Sequence, residues 1–155
     1  MRFFILALAS NAGLGYSPWA PGTVGTLAGI PIFFLLSTLS PGLFALTWLG
    51  LFFLACWAAG EAGRIYGVVD DSRIVIDELV GYLVTVAFVP FSWTTALLGF
   101  VWFRLFDITK PQPAAWFDRR CKNGYGVVLD DVIAGLYGAA GLHLTLYLWH
   151  TFLET

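Results

Sequence analysis

Nine of the ten acidic residues of this chain lie between positions 61 and 131, and several of them flank long apolar stretches. Asp77 and Glu78 precede one such stretch, Asp107 follows it, and Asp130 and Asp131 precede the next. Adjacent carboxylates near a low-dielectric boundary repel each other, and protonation or a bound cation relieves that repulsion. Acids in a first helical turn also offset the helix dipole, but this does not account for Asp107, which follows a helix. The pattern therefore favours a site for a hard divalent ion such as magnesium or manganese.

Basic residues are concentrated close to the same acids. Between positions 104 and 122 they are Arg104, Lys110, Arg119, Arg120 and Lys122. Such residues commonly anchor a loop to anionic lipid. Beside a carboxylate metal site they also match the oxygens of a phosphate group, so a phosphorylated substrate is the second interpretation.

The patterns of covalent phosphatases do not occur in the sequence. Neither Cys56 nor Cys121 is followed by the arginine of a cysteine-phosphatase loop, and there is no Asp-x-Asp pair. His143 and His150 lie in the last apolar stretch, away from the acids. The predicted chemistry is therefore metal-assisted attack by water.

The composition indicates an integral membrane protein. Hydrophobic residues make up 59% of the chain and charged residues 12%, whereas soluble domains carry roughly a quarter charged residues. A length of 155 residues suits a single domain over 1–155. A net charge of −2 gives no basic surface for nucleic acid.

Four apolar stretches without Lys, Arg, Asp or Glu position the candidate site, and they predict an all-α membrane bundle. They cover residues 26–39, 43–59, 79–103 and 132–148. A helix that crosses a bilayer needs about 20 residues. Pro41 and Gly42 separate the first two stretches, which we expect to form a hairpin of helices. A soluble helical bundle with a large core is the alternative.

The third stretch is predicted to enter the membrane and return as a re-entrant hairpin over 79–103. Pro90 and the polar residues that follow it interrupt the middle of the stretch, where proline removes a helical hydrogen bond. Loops 61–76 and 104–126 carry basic residues, which places both on the cytoplasmic side. The last stretch then crosses, leaving the C-terminus and Glu154 outside. A kinked full span is the alternative.

Five segments of the chain resemble, in order, the phosphatidylglycerophosphatase A family. Residues 13–29 are similar to its G-x-G-x-x-P-x-A-P-G-T-x-G-S/T-L opening, and residues 76–81 to its D-E-hydrophobic-hydrophobic-G motif. Residues 103–113 match F-R-x-x-D-x-x-K-P-x-P, and residues 116–119 follow at the family spacing. Residues 123–135 resemble the G-G-x-G-hydrophobic-D-D-hydrophobic-A-G block, with Asn123 in place of a common glycine.

This resemblance implies a magnesium-dependent lipid phosphatase of phospholipid biosynthesis. Its substrate would be phosphatidylglycerophosphate, which it would convert to phosphatidylglycerol and inorganic phosphate. It would be a multi-pass protein of a bacterial cytoplasmic (inner) membrane, with its site facing the cytoplasm. Carried over by motif, the candidate site residues are Asp77, Glu78, Asp107, Lys110, Asp118, Asp130 and Asp131.

The individual roles are predicted from the chemistry of each residue. The predicted metal ligands are Asp77, Glu78, Asp107, Asp130 and Asp131. The predicted catalytic residues are Asp107, Lys110, Asp118 and Asp130. The predicted substrate-binding residues are Thr23, Arg104, Lys110 and Arg119, although Thr23 also suits a purely turn-forming role.

Two other classes of membrane protein are alternatives to a phosphatase. A phosphotransferase acting on CDP-activated lipids needs a D-x-x-D-G-x-x-A-R run, which does not occur. A non-enzymatic membrane scaffold or small transporter would more typically carry ionisable groups or broken helices near the membrane midplane. A broken third stretch could also line a transport pathway through the membrane, so the scaffold or transporter alternative stays open.

Overall fold

A computed structural model describes residues 1–153, and the regular structure in that part of the chain is helical. Glu154 lies outside the described residues. The helices are α1 (Arg2–Ala9), α2 (Pro21–Leu27), α3 (Gly29–Leu36), α4 (Pro41–Tyr66), α5 (Ile76–Thr85), α6 (Trp93–Thr109), α7 (Ala114–Arg120) and α8 (Gly124–Leu153). The prediction of an all-α bundle is confirmed.

Two of these helices, α4 and α8, are long and apolar enough to cross a membrane. They contain 26 and 30 residues, which corresponds to about 39 and 45 Å at the rise of an α-helix. Ser40 caps the start of α4, and Gly67 ends it in the left-handed conformation. Only 28% of the apolar window of α4 is buried within the protein, whereas the core helix of a soluble protein is mostly buried. This exposure favours the membrane interpretation.

The first apolar stretch is not one continuous spanning helix. It is divided at Ala28 between α2 and α3, which contain seven and eight residues. Pro31 explains the division, because it lacks the amide hydrogen that would bond to the carbonyl of Leu27, and its ring clashes with that carbonyl in a straight helix. Within the described residues α3 packs against α5.

The third stretch forms the expected hairpin, with α5 and α6 as its two limbs. Phe88 adopts a positive φ of 62° in the connection, and Ser92 with Thr95 forms a capping box that starts α6. The hydroxyl of Tyr82 donates to the carbonyl of Ala96 at 3.1 Å. Nearer the open end, Arg104 Nη1 lies 4.0 Å from Glu78 Oε1. A kinked full span would separate those two residues by the roughly 30 Å hydrocarbon core, so it is excluded.

The backbones of α5 and α8 approach each other unusually closely. A Cβ at Gly81 would lie 2.6 Å from the carbonyl oxygen of Asp131, and one at Gly135 would lie 2.3 Å from the carbonyl oxygen of Gly81. Small residues at such crossings allow helices to pack backbone to backbone. This contact brings the acids of the first turn of α5 beside those of α8.

The N-terminal segment holds the start of α5 in place. The side-chain amide of Asn11 donates to the carbonyl of Val75 at 2.7 Å, and the amide of Val75 donates to the carbonyl of Ala9 at 2.8 Å. Because α5 begins at Ile76, these bonds fix the position of Asp77 and Glu78.

Candidate active site

A cavity of about 390 Å³ lies where α5 begins, α6 ends and α8 passes. Its wall is formed by Ala20, Pro21, Gly22, Asp70, Ser72, Ile74, Asp77, Glu78, Arg104, Asp107, Ile108, Lys110, Asp130 and Asp131. Segments that are far apart in the chain therefore contribute to one site. The lining includes six carboxylates and two cations, which makes it strongly polar.

Three of the carboxylates form a compact group. One oxygen from each of Asp77, Glu78 and Asp131 lies within 4.8 Å of the others. The exposed fraction of Asp77 is 6% and that of Asp131 is 4%. Asp77 Oδ1 and Glu78 Oε2 are buried without a hydrogen-bond partner among the described residues. Buried carboxylate oxygens normally have a partner, and an ion site is one established reason for an exception, so this group fits a hard divalent cation.

The pKa values of Asp77 and Glu78 also favour a bound cation at this carboxylate group. Burial raises the pKa of Glu78 to about 8. Burial also raises the pKa of Asp77, and the charges of Glu78 and Asp70 add to that increase. Close carboxylates resist ionising together unless positive charge is supplied. A bound cation would supply that charge.

Arg104 reaches the carboxylate group from α6. Its Nη1 donates to Asp107 Oδ2, one helical turn along the same helix, and lies 4.0 Å from Glu78 Oε1. Its Nε is buried and has no partner among the described residues. Gly22 borders this pair closely, since a Cβ there would lie 2.3 Å from Glu78 Oε1. Arg104 is thus fixed by carboxylates while one donor stays available.

Lys110 supplies the second cation. It ends α6 with a left-handed φ of 40°, and its Nζ donates to Asp130 Oδ2 at 2.5 Å and to Asp118 Oδ1 at 2.9 Å. The hydrogen bond from Lys110 holds the pKa of Asp118 below its ordinary value. The second oxygen of Asp130, Oδ1, is buried and has no partner among the described residues. Lys110 therefore connects α7 to the cavity wall.

The structure brings all five predicted metal ligands into this one cavity. Asp107 and Asp130 are engaged by Arg104 and Lys110, whereas Asp77, Glu78 and Asp131 form the compact group. Asp118 is connected to the cavity through its ion pair with Lys110.

Two predicted substrate-binding residues lie outside the cavity wall. Thr23 is half-buried beside Gly22, and Arg119 is exposed on α7. The wall near Thr23 is formed by residues 20–22 instead. Their roles stay predictions.

Asp70 and Ser72 also line the cavity, although neither residue was predicted to belong to the site. They belong to the loop that joins α4 to α5 and to none of the recognised motifs. The polar run Asp70-Asp71-Ser72 shortly before the Asp77-Glu78 pair was the available signal. The middle residue of that run, Asp71, forms an ion pair with Arg73 instead, because its Oδ1 accepts a hydrogen bond from Arg73 Nε at 2.7 Å.

These features define a helical protein, with membrane-length helices, that encloses an acidic, cation-bordered cavity at one end of its bundle. The chain belongs to the phosphatidylglycerophosphatase A family, whose model matches residues 7–146. Two curated relatives carry the name phosphatidylglycerophosphatase A. The one from Escherichia coli (strain K12) is 36% identical over 143 residues, covering 92% of this chain and 83% of the relative. The one from Haemophilus influenzae is 40% identical over 132 residues, covering 84% and 81%.

A third relative has a different name. It comes from Bacteroides thetaiotaomicron and is named, provisionally, as a phosphatidylinositol-3-phosphatase. It is 37% identical over 144 residues, covering 87% of this chain and 89% of the relative. No solved structure gives a significant match to the chain.

Proposed function

We propose that this protein hydrolyses phosphatidylglycerophosphate to phosphatidylglycerol and inorganic phosphate. The observation that carries the proposal is the cavity itself, whose wall combines buried carboxylate oxygens and a buried arginine nitrogen that have no partner within residues 1–153. The carboxylate oxygens of this site can bind a cation, and its arginine can bind an anion. A phosphate monoester held on a metal ion supplies both. The names of the relatives from E. coli and H. influenzae support this substrate.

We infer that the cation is magnesium, held by Asp77, Glu78 and Asp131, with Asp107 and Asp130 beside them. The donors are all carboxylate oxygens, which suits a hard ion and not a soft one. When bound, such an ion neutralises charge that develops on phosphoryl oxygens and makes water a stronger acid.

The basic side chains bind and orient the phosphate. The guanidinium of Arg104 lines the cavity and can donate to a phosphoryl oxygen, since its Nε has no partner within the described residues, while Asp107 holds the group in place. The Lys110 ammonium has three donors, of which two are engaged by Asp118 and Asp130, so the third is available to the phosphate. Asp107 and Asp118 thus act as positioning residues for the two cations.

The reaction replaces one phosphorus–oxygen bond with another. The oxygen of a water molecule attacks phosphorus, the bond from phosphorus to the glycerol oxygen breaks, and that oxygen takes up the proton that water loses. His143 lines a separate apolar groove with Phe44 and Phe88, and the described residues that line the acidic cavity include no histidine. A histidine nucleophile at the acidic site therefore has no support.

We further propose that the protein is a multi-pass protein of the bacterial inner membrane, with the cavity facing the cytoplasm. The helices α4 and α8 are long enough to cross, and the hairpin of α5 and α6 opens towards the same end as the cavity. Basic residues beside the cavity agree with a cytoplasmic position. At that depth the cavity meets the headgroup of a lipid substrate.

Phosphate release from phosphatidylglycerophosphate in detergent micelles, by purified protein with magnesium, tests the proposed function. We expect hydrolysis that chelation abolishes and added magnesium restores. Asp131→Asn should lose activity, whereas Glu61→Gln, which affects a surface pair with Arg64, should retain it. A protein that releases no phosphate would instead support the scaffold or transporter interpretation.

A further inference from the structure

The wall of the cavity contains two chemically different parts. One part carries the cations Arg104 and Lys110 together with the five carboxylates of the candidate metal site, and the other is contributed by the loop between α4 and α5, through Asp70 and Ser72. Both loop residues are exposed. Neither side chain makes a hydrogen bond or ion pair with another residue in 1–153, so both are available to a ligand.

The chemistry of Asp70 restricts the ligand group that it can bind. An ionised carboxylate only accepts hydrogen bonds. It also repels the oxygens of a phosphate, which the cationic part of the wall attracts. Asp70 therefore suits a neutral group that donates a hydrogen bond, and the hydroxyl of Ser72 can take part in the same contact.

The size of the cavity leaves room for more than a phosphate. A water molecule takes a share of about 30 Å³ in the liquid, so the ten non-hydrogen atoms of a glycerol phosphate need at most about 300 Å³. The cavity of about 390 Å³ accommodates that volume. The glycerol part of a lipid headgroup can thus enter together with its terminal phosphate.

We propose that Asp70 and Ser72 bind the free hydroxyl of the glycerol headgroup and so select phosphorylated glycerol over phosphate monoesters that lack this hydroxyl. The inference rests on the proposed function. In phosphatidylglycerophosphate the hydroxyl is on the central carbon of the headgroup glycerol, between two phosphate groups. A carboxylate in that position attracts the one neutral donor and repels its anionic neighbours, which fixes the direction in which the headgroup lies.

The test compares two lipids that differ only in this hydroxyl. One is phosphatidylglycerophosphate, and the other is its analogue with 1,3-propanediol in place of the headgroup glycerol. We would measure kcat/KM for both in micelles with magnesium, for the wild type, Asp70→Asn and Ser72→Ala. Asp71→Asn is the matched control, because it makes the same chemical change at the next residue, whose side chain binds Arg73.

We expect the wild type to prefer the hydroxylated lipid by roughly 10-fold or more, the size expected for one hydrogen bond to a charged acceptor. Asp70→Asn should reduce this preference severalfold, because the amide oxygen of asparagine still accepts a hydrogen bond but carries no charge. Ser72→Ala should weaken the preference, and Asp71→Asn should keep it. A wild type that hydrolyses both lipids equally well overturns the inference. So does an Asp70→Asn protein that keeps the preference or loses both activities in equal proportion. A wild type that hydrolyses neither lipid refutes the proposed function as well.

Discussion

Replacing Gly81 with alanine tests whether the close packing of α5 on α8 sets the geometry of the carboxylate group. A Cβ at position 81 would lie 2.6 Å from the carbonyl oxygen of Asp131, whereas ordinary van der Waals contacts begin at 3.4 Å. This oxygen belongs to the backbone of a helix and cannot rotate away as a side chain can, and the ring of the buried Phe103 lies equally close, at 2.6 Å. The two helices must therefore separate locally by about 0.8 Å, the difference between 3.4 and 2.6 Å.

That separation acts directly on the candidate metal site. Asp77 and Glu78 lie one helical turn before Gly81, so they move away from Asp131 with α5. Ligand distances in metal sites are held within about 0.2 Å, and a misplacement of about 1 Å can cost about 100-fold in rate. We expect Gly81→Ala to lower kcat/KM for phosphatidylglycerophosphate about 100-fold and to raise the magnesium concentration needed for half-maximal activity.

Gly50→Ala in α4 is the matched control for this experiment. Apart from its own helix backbone, no atom of the described residues lies within 4 Å of a Cβ at position 50, so activity should change by no more than about twofold, as for an ordinary surface substitution. Phosphate release across a magnesium titration gives both quantities, and thermal unfolding in detergent checks that each variant is folded. A folded Gly81→Ala protein with wild-type kcat/KM and wild-type magnesium dependence would refute the reasoning.

Three further predictions concern the site and its orientation. Asp107→Asn should lower kcat at least about 100-fold in the phosphate-release assay, the order expected when a principal electrostatic stabiliser is disturbed, and an effect no larger than that of Glu61→Gln would contradict its role. The raised pKa of Glu78, about 8 against an ordinary 4.5, means that the folded metal-free protein binds this proton more tightly than the unfolded chain does. Its free energy of unfolding should therefore fall as the pH rises from about 5 to 8, and magnesium should raise the unfolding temperature more at pH 8 than at pH 5; a magnesium effect independent of pH would count against the carboxylate site. Single cysteines are introduced as Ser72→Cys and Gln112→Cys in a protein without its native cysteines. Both should be protected from a membrane-impermeant thiol reagent in intact spheroplasts and labelled after permeabilisation. Labelling of only one in intact spheroplasts would place loops 61–76 and 104–126 on opposite sides of the membrane.

The break in the third apolar stretch shows how much local sequence can predict. Pro90 cannot donate a helical hydrogen bond, and Ser92 followed by Thr95 forms a cap whose pattern depends on neighbouring residues alone. The hairpin of α5 and α6 was predictable for that reason. The first apolar stretch contains the same kind of signal in Pro31, and the structure divides that stretch at Ala28, between α2 and α3.

The acids were recognisable as a set from their positions at the ends of apolar stretches, but their partners were not. Asp107 and Asp130 were predicted as metal ligands together with the other three acids, and the structure gives each of them a cation, Arg104 and Lys110. Asp77, Glu78 and Asp131 form the compact group instead. Which acid faces which cation depends on the rotation of one helix against another, and adjacency in the sequence does not specify that rotation.

The sequence by itself determined the membrane-like composition, the long helices, the re-entrant hairpin, the acids and the family resemblance. All of these depend on residue type and on spacing within a few helical turns, which local hydrogen bonding and hydrophobicity control. Only the tertiary structure decided that Asp70 and Ser72 share the cavity with Arg104, and that Gly81 sets the distance between α5 and α8. These facts depend on contacts between residues that are distant in the chain, where backbone approach and burial, rather than local pattern, fix which groups meet.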